Sequence, residues 1–270
     1  MLNHVKSLFL LAVLTGLLLA AGAALGGARG MAIAFVLSIV LNVGTWFFSD
    51  SIVIKSTGAV PLPEYEAPWL HRDVAQLAER AGIPKPEVYI LPNERSPNAF
   101  ATGRSPSRGV VAVTAGLLHV LTEREVRGVL AHEIGHIAHR DTLLNSIAAT
   151  IAGALTYAGY GLMFGRSRDT PPWAALLIII AAPMAAALVR MAISRTREYM
   201  ADARAAELTG DAEGLALALE GLSRRSEAVP LPADTNHSVH YIVNGFADGM
   251  GRLLSTHPPI EERVRRLRAM

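Results

Sequence analysis

Four stretches of the chain carry almost no charge over lengths that suit a bilayer. The first runs from about Ser7 to Ala28, between Lys6 and Arg29, and the second from about Met31 to Phe48, closing on Trp46-Phe47-Phe48. The third lies between Asp141 and Arg166, and the fourth covers about Thr170 to Val189. Each is near the ~20 residues needed to cross ~30 Å of hydrocarbon, and the aromatic trio suits a membrane interface. The first stretch also follows Lys6 as a signal peptide would, with Ala21-Gly22-Ala23 as a cleavage site. Its apolar run is longer than the usual ~7–15 residues, however, and a second span follows at once. The third and fourth are rich in Ala and Gly, which suits buried soluble helices as well as close packing in a membrane. The rest of the chain is too short to cover them on all sides, which favours spans.

Four spans put both termini on one side. Lys6, Lys55, Arg140, Arg190, Arg195 and Arg197 flank that side, against Arg29, Arg166 and Arg168 on the other. The excess of basic residues places the termini and the two large segments in the cytoplasm. The expected division is two membrane helices in 1–48, the first part of a cytoplasmic domain in 49–141, two more helices in 142–189, and the rest of the domain in 190–270.

In the large segments the apolar period changes. Leu70, Val74, Leu77 and Ala81 recur at helical spacing, so Tyr65 to Ala81 is predicted as an amphipathic helix ended by Gly82. Glu87 to Leu91, Asn98 to Gly103 and Gly109 to Val113 are predicted strands, the last two joined by a turn at Arg104-Ser105-Pro106-Ser107. Thr122-Glu123-Arg124-Glu125 is a capping box, which starts a helix carrying Val126, Val129, Leu130, Ile134 and Ile137. No Pro or helix-ending Gly follows before Thr142, so this helix is expected to run unbroken past Asp141 into the third span. At ~1.5 Å per residue that puts position 136 about one headgroup layer from the hydrocarbon.

Composition narrows the chemistry. The chain has 270 residues, 51% of them apolar and only 18% charged, with a net charge of +2. Such a balance does not describe a nucleic-acid-binding protein; Arg263, Arg265, Arg266 and Arg268 read as a solvated helix face near an anionic membrane. There is no cysteine. Disulfides and thiolate nucleophiles are excluded, and any zinc site must use His nitrogen and carboxylate oxygen.

His132-Glu133-Ile134-Gly135-His136 lies inside the capped helix. Residues four apart share a helix face, so both imidazoles can reach one zinc while Glu133 can take a proton from the attacking water. The ion lowers the pKa of a coordinated water and polarises a carbonyl. A catalytic zinc wants a third protein ligand, and no His follows at the short spacing of extended zincin motifs. Glu198 and Asp202 lie four apart in Arg195-Thr196-Arg197-Glu198-Tyr199-Met200-Ala201-Asp202. Glu198 can bind the ion, and Asp202 can accept a hydrogen bond from the free N–H of a ligand His. A solvated helix with Arg/Glu pairs fits the same residues.

His132-Glu133-x-x-His136, followed after two spans by Glu198-Tyr199-x-Ala201-Asp202, resembles the HtpX-type membrane metalloproteases, bacterial relatives of the CAAX prenyl proteases. Pro97 through Gly103, His132 through Asp141, and Ser255-Thr256-His257-Pro258-Pro259-Ile260-Glu261-Glu262-Arg263 match the same family; positions 229–250 match only loosely. The resemblance implies a mainly α zincin-like domain with a small β-sheet, fused to four transmembrane helices. It implies one Zn2+ per subunit on His132, His136 and Glu198, with Glu133 as base. His257 and Arg263 resemble family residues near the active site, where either can stabilise an oxyanion; a structural helix start at Pro258-Pro259 with His257 as cap fits the same residues equally. Asn98, Ala99, Phe100, Ala101 and Thr102 would form an edge strand that can pair with an extended substrate; an ordinary sheet strand fits the same residues. The implied substrates are misfolded or damaged membrane proteins in a stress response, at the bacterial inner membrane, with other membrane quality-control proteases as partners. Two other classes compete with this reading. An inactive scaffold that binds clients needs no base, yet Glu133 is intact. A transporter usually places ionisable residues at mid-membrane, and these spans contain almost none.

Overall fold

The computed structural model describes residues 2–142, 195–228 and 258–270. The chain divides into two compact units, Met1–Ser49 with Leu143–Ala192 and Asp50–Thr142 with Ile193–Met270.

Within the first unit the described part is helix α1, which spans Leu2–Thr57 and so enters the second. Two helices joined by a hairpin were expected here. Gly27 falls inside the element at φ 58, a left-handed conformation foreign to a right-handed helix, so the axis cannot run straight through it. Between Met31 and Phe48 the described large apolar side chains are exposed, while Ala34 and Ser38, one turn apart, are buried. Among the described residues no helix is long and apolar enough to cross a membrane. The third and fourth hydrophobic stretches lie outside those residues, as do most side chains of the first.

The second unit is mainly helical with a small mixed sheet. Strands β1 (Val60–Pro61), β2 (Glu87–Leu91), β3 (Ala99–Thr102) and β4 (Val110–Thr114) lie in the order β1-β2-β4-β3. β2 and β4 run parallel, with Val88 opposite Val111, and β3 returns antiparallel along β4, with Phe100 opposite Ala112. Between β3 and β4 the chain turns through a short 3-10 helix, Pro106–Arg108. Gly103 there has φ 135, and a Cβ on it would lie 2.4 Å from the Arg108 carbonyl oxygen.

Helix α2 (Pro68–Ala81) begins three residues later than the periodicity predicts. Pro68 disfavours helical backbone at Ala67, which adopts φ −141, and then suits the first helical turn itself. Gly82 closes the helix at φ 70. Helix α3 (Ala115–Val120) leads into α4 (Glu123–Ala138), whose capping box is formed in both directions. Helices α5 (Arg195–Thr209), α6 (Ala212–Ala228) and α7 (Ile260–Leu267) follow among the described residues.

α4 is the axis of the core. Val126, Val129, Leu130, Ile134 and Ile137 pack with Leu70, Val74 and Leu77 of α2, with Val111 and Val113 of β4, and with Leu215 and Leu219 of α6. Gly128 lets α6 approach closely, since a Cβ there would lie 2.7 Å from the Leu215 nitrogen. Phe100 joins a separate cluster with Val53, Ala59, Leu91 and Ala112.

The expected unbroken run of α4 is not what forms. The helix ends at Ala138, and Arg140 turns the chain at φ 60. His139 and Arg140 bond back to the carbonyls of Gly135 and Ile137, a helix end usually reserved for Gly or Asn. Thr142 then donates from Oγ1 to the Gly103 carbonyl at 2.9 Å. Tertiary bonds to residues distant in sequence overrule the local pattern here.

Candidate metal centre

The one-turn spacing on α4 brings His132 and His136 together with their rings perpendicular and 4.7 Å apart. Their Nε2 atoms stand 3.2 Å from one another. Glu198, in the first turn of α5, reaches in between: Oε2 is 3.6 Å from His132 Nε2 and Oε1 is 3.6 Å from His136 Nε2. Two ligand atoms each ~2.1 Å from a tetrahedral zinc are ~3.4 Å apart. The three observed separations bracket that value, and all three side chains are buried. Two imidazole nitrogens and a carboxylate also make a donor set that zinc takes. The residues fit the ion.

Glu133 is buried on the same turn of α4. Asp202, one turn beyond Glu198 on α5, accepts from His132 Nδ1 at 2.9 Å. That bond leaves Nε2 of His132 as the atom facing the cluster. Arg263, in the first turn of α7, donates to Asp202 from Nε at 2.8 Å and Nη2 at 2.7 Å. Its Nη1 lies 3.8 Å from Glu198 Oε2. The arginine is only 1% exposed and grips the aspartate, while its Nη1 makes no hydrogen bond among the described residues.

Burial alone would raise the Asp202 carboxyl, but Arg263 and the His132 bond outweigh it and hold Asp202 at about 2. Burial likewise lowers His132, yet its bonds to Asp202 and Glu198 prevail and raise it to about 9. In the metal-free centre His132 therefore carries a proton that an arriving cation must displace.

Two further charged groups lie at this centre that sequence reasoning did not single out. Asp141 accepts from His136 Nδ1 at 3.0 Å. Arg197 Nη1 lies 3.5 Å from the other oxygen of Asp141. In the sequence Arg197 reads as a basic residue flanking the membrane or as part of a solvated Arg/Glu helix. It is instead largely buried, and desolvation lowers the pKa of its guanidinium. Its position directly before Glu198 was the one signal available.

The proposed substrate strand is at the sheet's edge: among the described residues, β3 pairs with β4 alone. Asn98, Ala99, Phe100 and Thr102 are buried, and Ala101 partly so. Asn98 is pinned by main-chain bonds with Thr114. What the strand offers outward is thus main chain rather than these side chains. His257 lies outside the described residues.

The model of "Peptidase family M48" matches residues 64–270. A protein named "Protease HtpX homolog" from Paraburkholderia phytofirmans is 43% identical, covering 100% of this chain and 98% of that protein. Proteins of the same name from Syntrophobacter fumaroxidans and Persephonella marina are 45% and 46% identical, covering 99% and 100% of this chain and 99% and 98% of theirs. Among solved structures, Ste24p of S. mikatae superposes with a TM-score of 0.53 at 21% identity, covering 98% of this chain and 65% of that one. That likeness speaks for the fold alone. With the matched model spanning both ligand helices and relatives matching end to end, the chain belongs to peptidase family M48, alongside the HtpX proteases.

Proposed function

We propose that this protein is a zinc-dependent membrane endopeptidase, with one Zn2+ per subunit, that cleaves misfolded or damaged membrane proteins. The observation that carries the reading is the convergence of the two imidazole Nε2 atoms and the Glu198 carboxylate within 3.2–3.6 Å of one another, with Glu133 on the same helix turn. When bound, the ion supplies a Lewis acid that acidifies water and polarises the scissile carbonyl. Glu133 takes the proton of the attacking water and delivers it to the leaving amine. His132 and His136 are kept in the tautomer that faces the ion by the carboxylates on their Nδ1 atoms. The edge of β3, unpaired among the described residues, holds an extended substrate through main-chain bonds, which demands little of its sequence. That tolerance suits clients recognised by being unfolded. Arg263 supports Asp202 in this scheme, and His257 and Arg263 are both candidate oxyanion groups through the family resemblance.

The exposed run Ile33, Phe35, Val36, Leu37, Ile39 and Val40 on α1 supports membrane attachment, because a contiguous apolar surface of that kind is rare on a soluble monomer. The proposed location is the bacterial inner membrane, with four spans and the protease domain and both termini cytoplasmic. Unfolded or membrane proteins are the substrates, other membrane quality-control proteases work beside it, and no nucleic acid is involved.

Degradation of unfolded casein by detergent-purified protein, with and without zinc, tests the reading beside Glu133→Ala. Wild-type protein should cleave only with zinc, and Glu133→Ala should bind zinc but lose ~10²–10⁴ in rate, the usual contribution of a general base. A loss of under tenfold would move the base to another residue.

A further inference from the structure

The two histidines are supported by the same device built from different parts of the chain. Each turns Nε2 toward the ligand cluster and Nδ1 toward an aspartate. Behind each aspartate stands a buried arginine: Arg263 behind Asp202, and Arg197 behind Asp141. The first set comes from helices far along the chain. The second pairs an aspartate just past the end of α4 with an arginine of α5. In a continuous helix, residues five apart point about 140° away from each other, so Asp141 could never meet His136. It does so because the helix stops at Ala138 and Arg140 adopts φ 60. For a non-glycine residue that conformation costs on the order of 1 kcal/mol and persists only where its surroundings impose it.

We propose that Asp141 and Arg197 are a second positioning pair for the metal centre, holding the His136 ring as Asp202 and Arg263 hold that of His132. The inference rests on the zinc reading above. Asp141 divides its oxygens between the two partners: Oδ2 accepts from His136 Nδ1 at 3.0 Å and Oδ1 faces Arg197 Nη1 at 3.5 Å. Arg197 is not placed as a stability pair would place it. Its Nε and Nη1 form no hydrogen bond among the described residues, although both are buried. Unsatisfied buried donors are a cost, and the strained turn adds another. Both converge on one imidazole that binds the ion. Arg197 also directly precedes Glu198, so one turn of α5 carries a metal ligand and the countercharge that orients another ligand's support.

The test measures zinc affinity by chelator competition on full-length protein in detergent, together with the visible absorption of the Co2+-substituted protein and the melting of the metal-free protein. Asp141→Asn should lower zinc affinity ~10–100-fold, the usual effect of removing such a support, and should shift the cobalt bands. Arg197→Met should change both in the same direction by less, Arg197→Lys should recover most of the loss, and Asp141→Asn with Arg197→Met should be no worse than Asp141→Asn alone. Wild-type zinc affinity and cobalt bands in a folded Asp141→Asn protein would overturn the proposal. So would additive losses in the double variant, because Arg197 would then act independently of Asp141. If Asp141→Asn does not fold, Arg197→Met decides: unchanged affinity and bands refute the pair, and a loss restored by Lys supports it. Failure of the zinc reading itself would show differently, as weak zinc binding by the wild type.

Discussion

Replacing Arg263 with Met separates an arginine that works on the substrate from one that works on the ligands. The side chain gives Asp202 two charge-assisted bonds, at 2.8 and 2.7 Å, with both groups buried. Met fills much of the same volume but leaves the carboxylate buried with only the His132 bond at 2.9 Å. Removing one partner of a buried ion pair typically costs ~3–5 kcal/mol, so unfolding free energy should fall by about that much. Part of the loss is pH-dependent. Asp202 sits at about 2 in the folded protein against an ordinary 3.8, and at ~1.4 kcal/mol per unit this shift is worth about 2 kcal/mol. Because the folded value is depressed, that stability is present above pH ~4 and disappears as pH falls through ~2. The gap between wild type and Arg263→Met should therefore be widest at neutral pH and narrow between pH 4 and 2. Zinc affinity should drop ~10–100-fold as the His132 ring loses its fixed support. Thermal unfolding across pH and chelator competition read the two effects. Arg263→Met protein with wild-type stability and zinc affinity but kcat ~10²–10³ lower would refute the reasoning, because a loss of that size confined to kcat marks an oxyanion stabiliser.

Glu198→Ala should reduce zinc occupancy more than Asp202→Ala does, and metal analysis showing the reverse order would mean that ligand and support are exchanged. Zinc affinity should rise about tenfold per pH unit from pH 7 to 9, since a proton on His132, whose value is raised to about 9, must leave first; a flat profile in competition titrations would contradict this. Gly128→Val should lower the melting temperature by forcing α4 and α6 apart, since a Cβ there already lies 2.7 Å from the Leu215 nitrogen. Such overpacking costs ~1–3 kcal/mol or more, and an unchanged melting temperature would show that the helices separate freely.

Much of this protein is set by interactions within a few residues, and those features are readable in the sequence alone. The Thr122–Glu125 box closes as expected because both partners lie within one helical turn. His132 and His136 share a face because they are four apart, and β2 occupies the predicted residues. Glu198 and Asp202 were nominated by the same spacing. Tertiary structure decided which groups those residues meet. β3 lies at the edge and β4 inside because β4 pairs in parallel with β2, a nonlocal choice that strand patterning does not encode. The end of α4 carries no Gly or Pro, so only the folded surroundings of Arg140 reveal the left-handed turn that sends Asp141 back to His136. Arg263 and Arg197 look in sequence like solvated or membrane-facing charges. The fold buries both against aspartates, because a buried carboxylate that grips an imidazole needs a countercharge, and that countercharge can come from any helix whose packing brings it near.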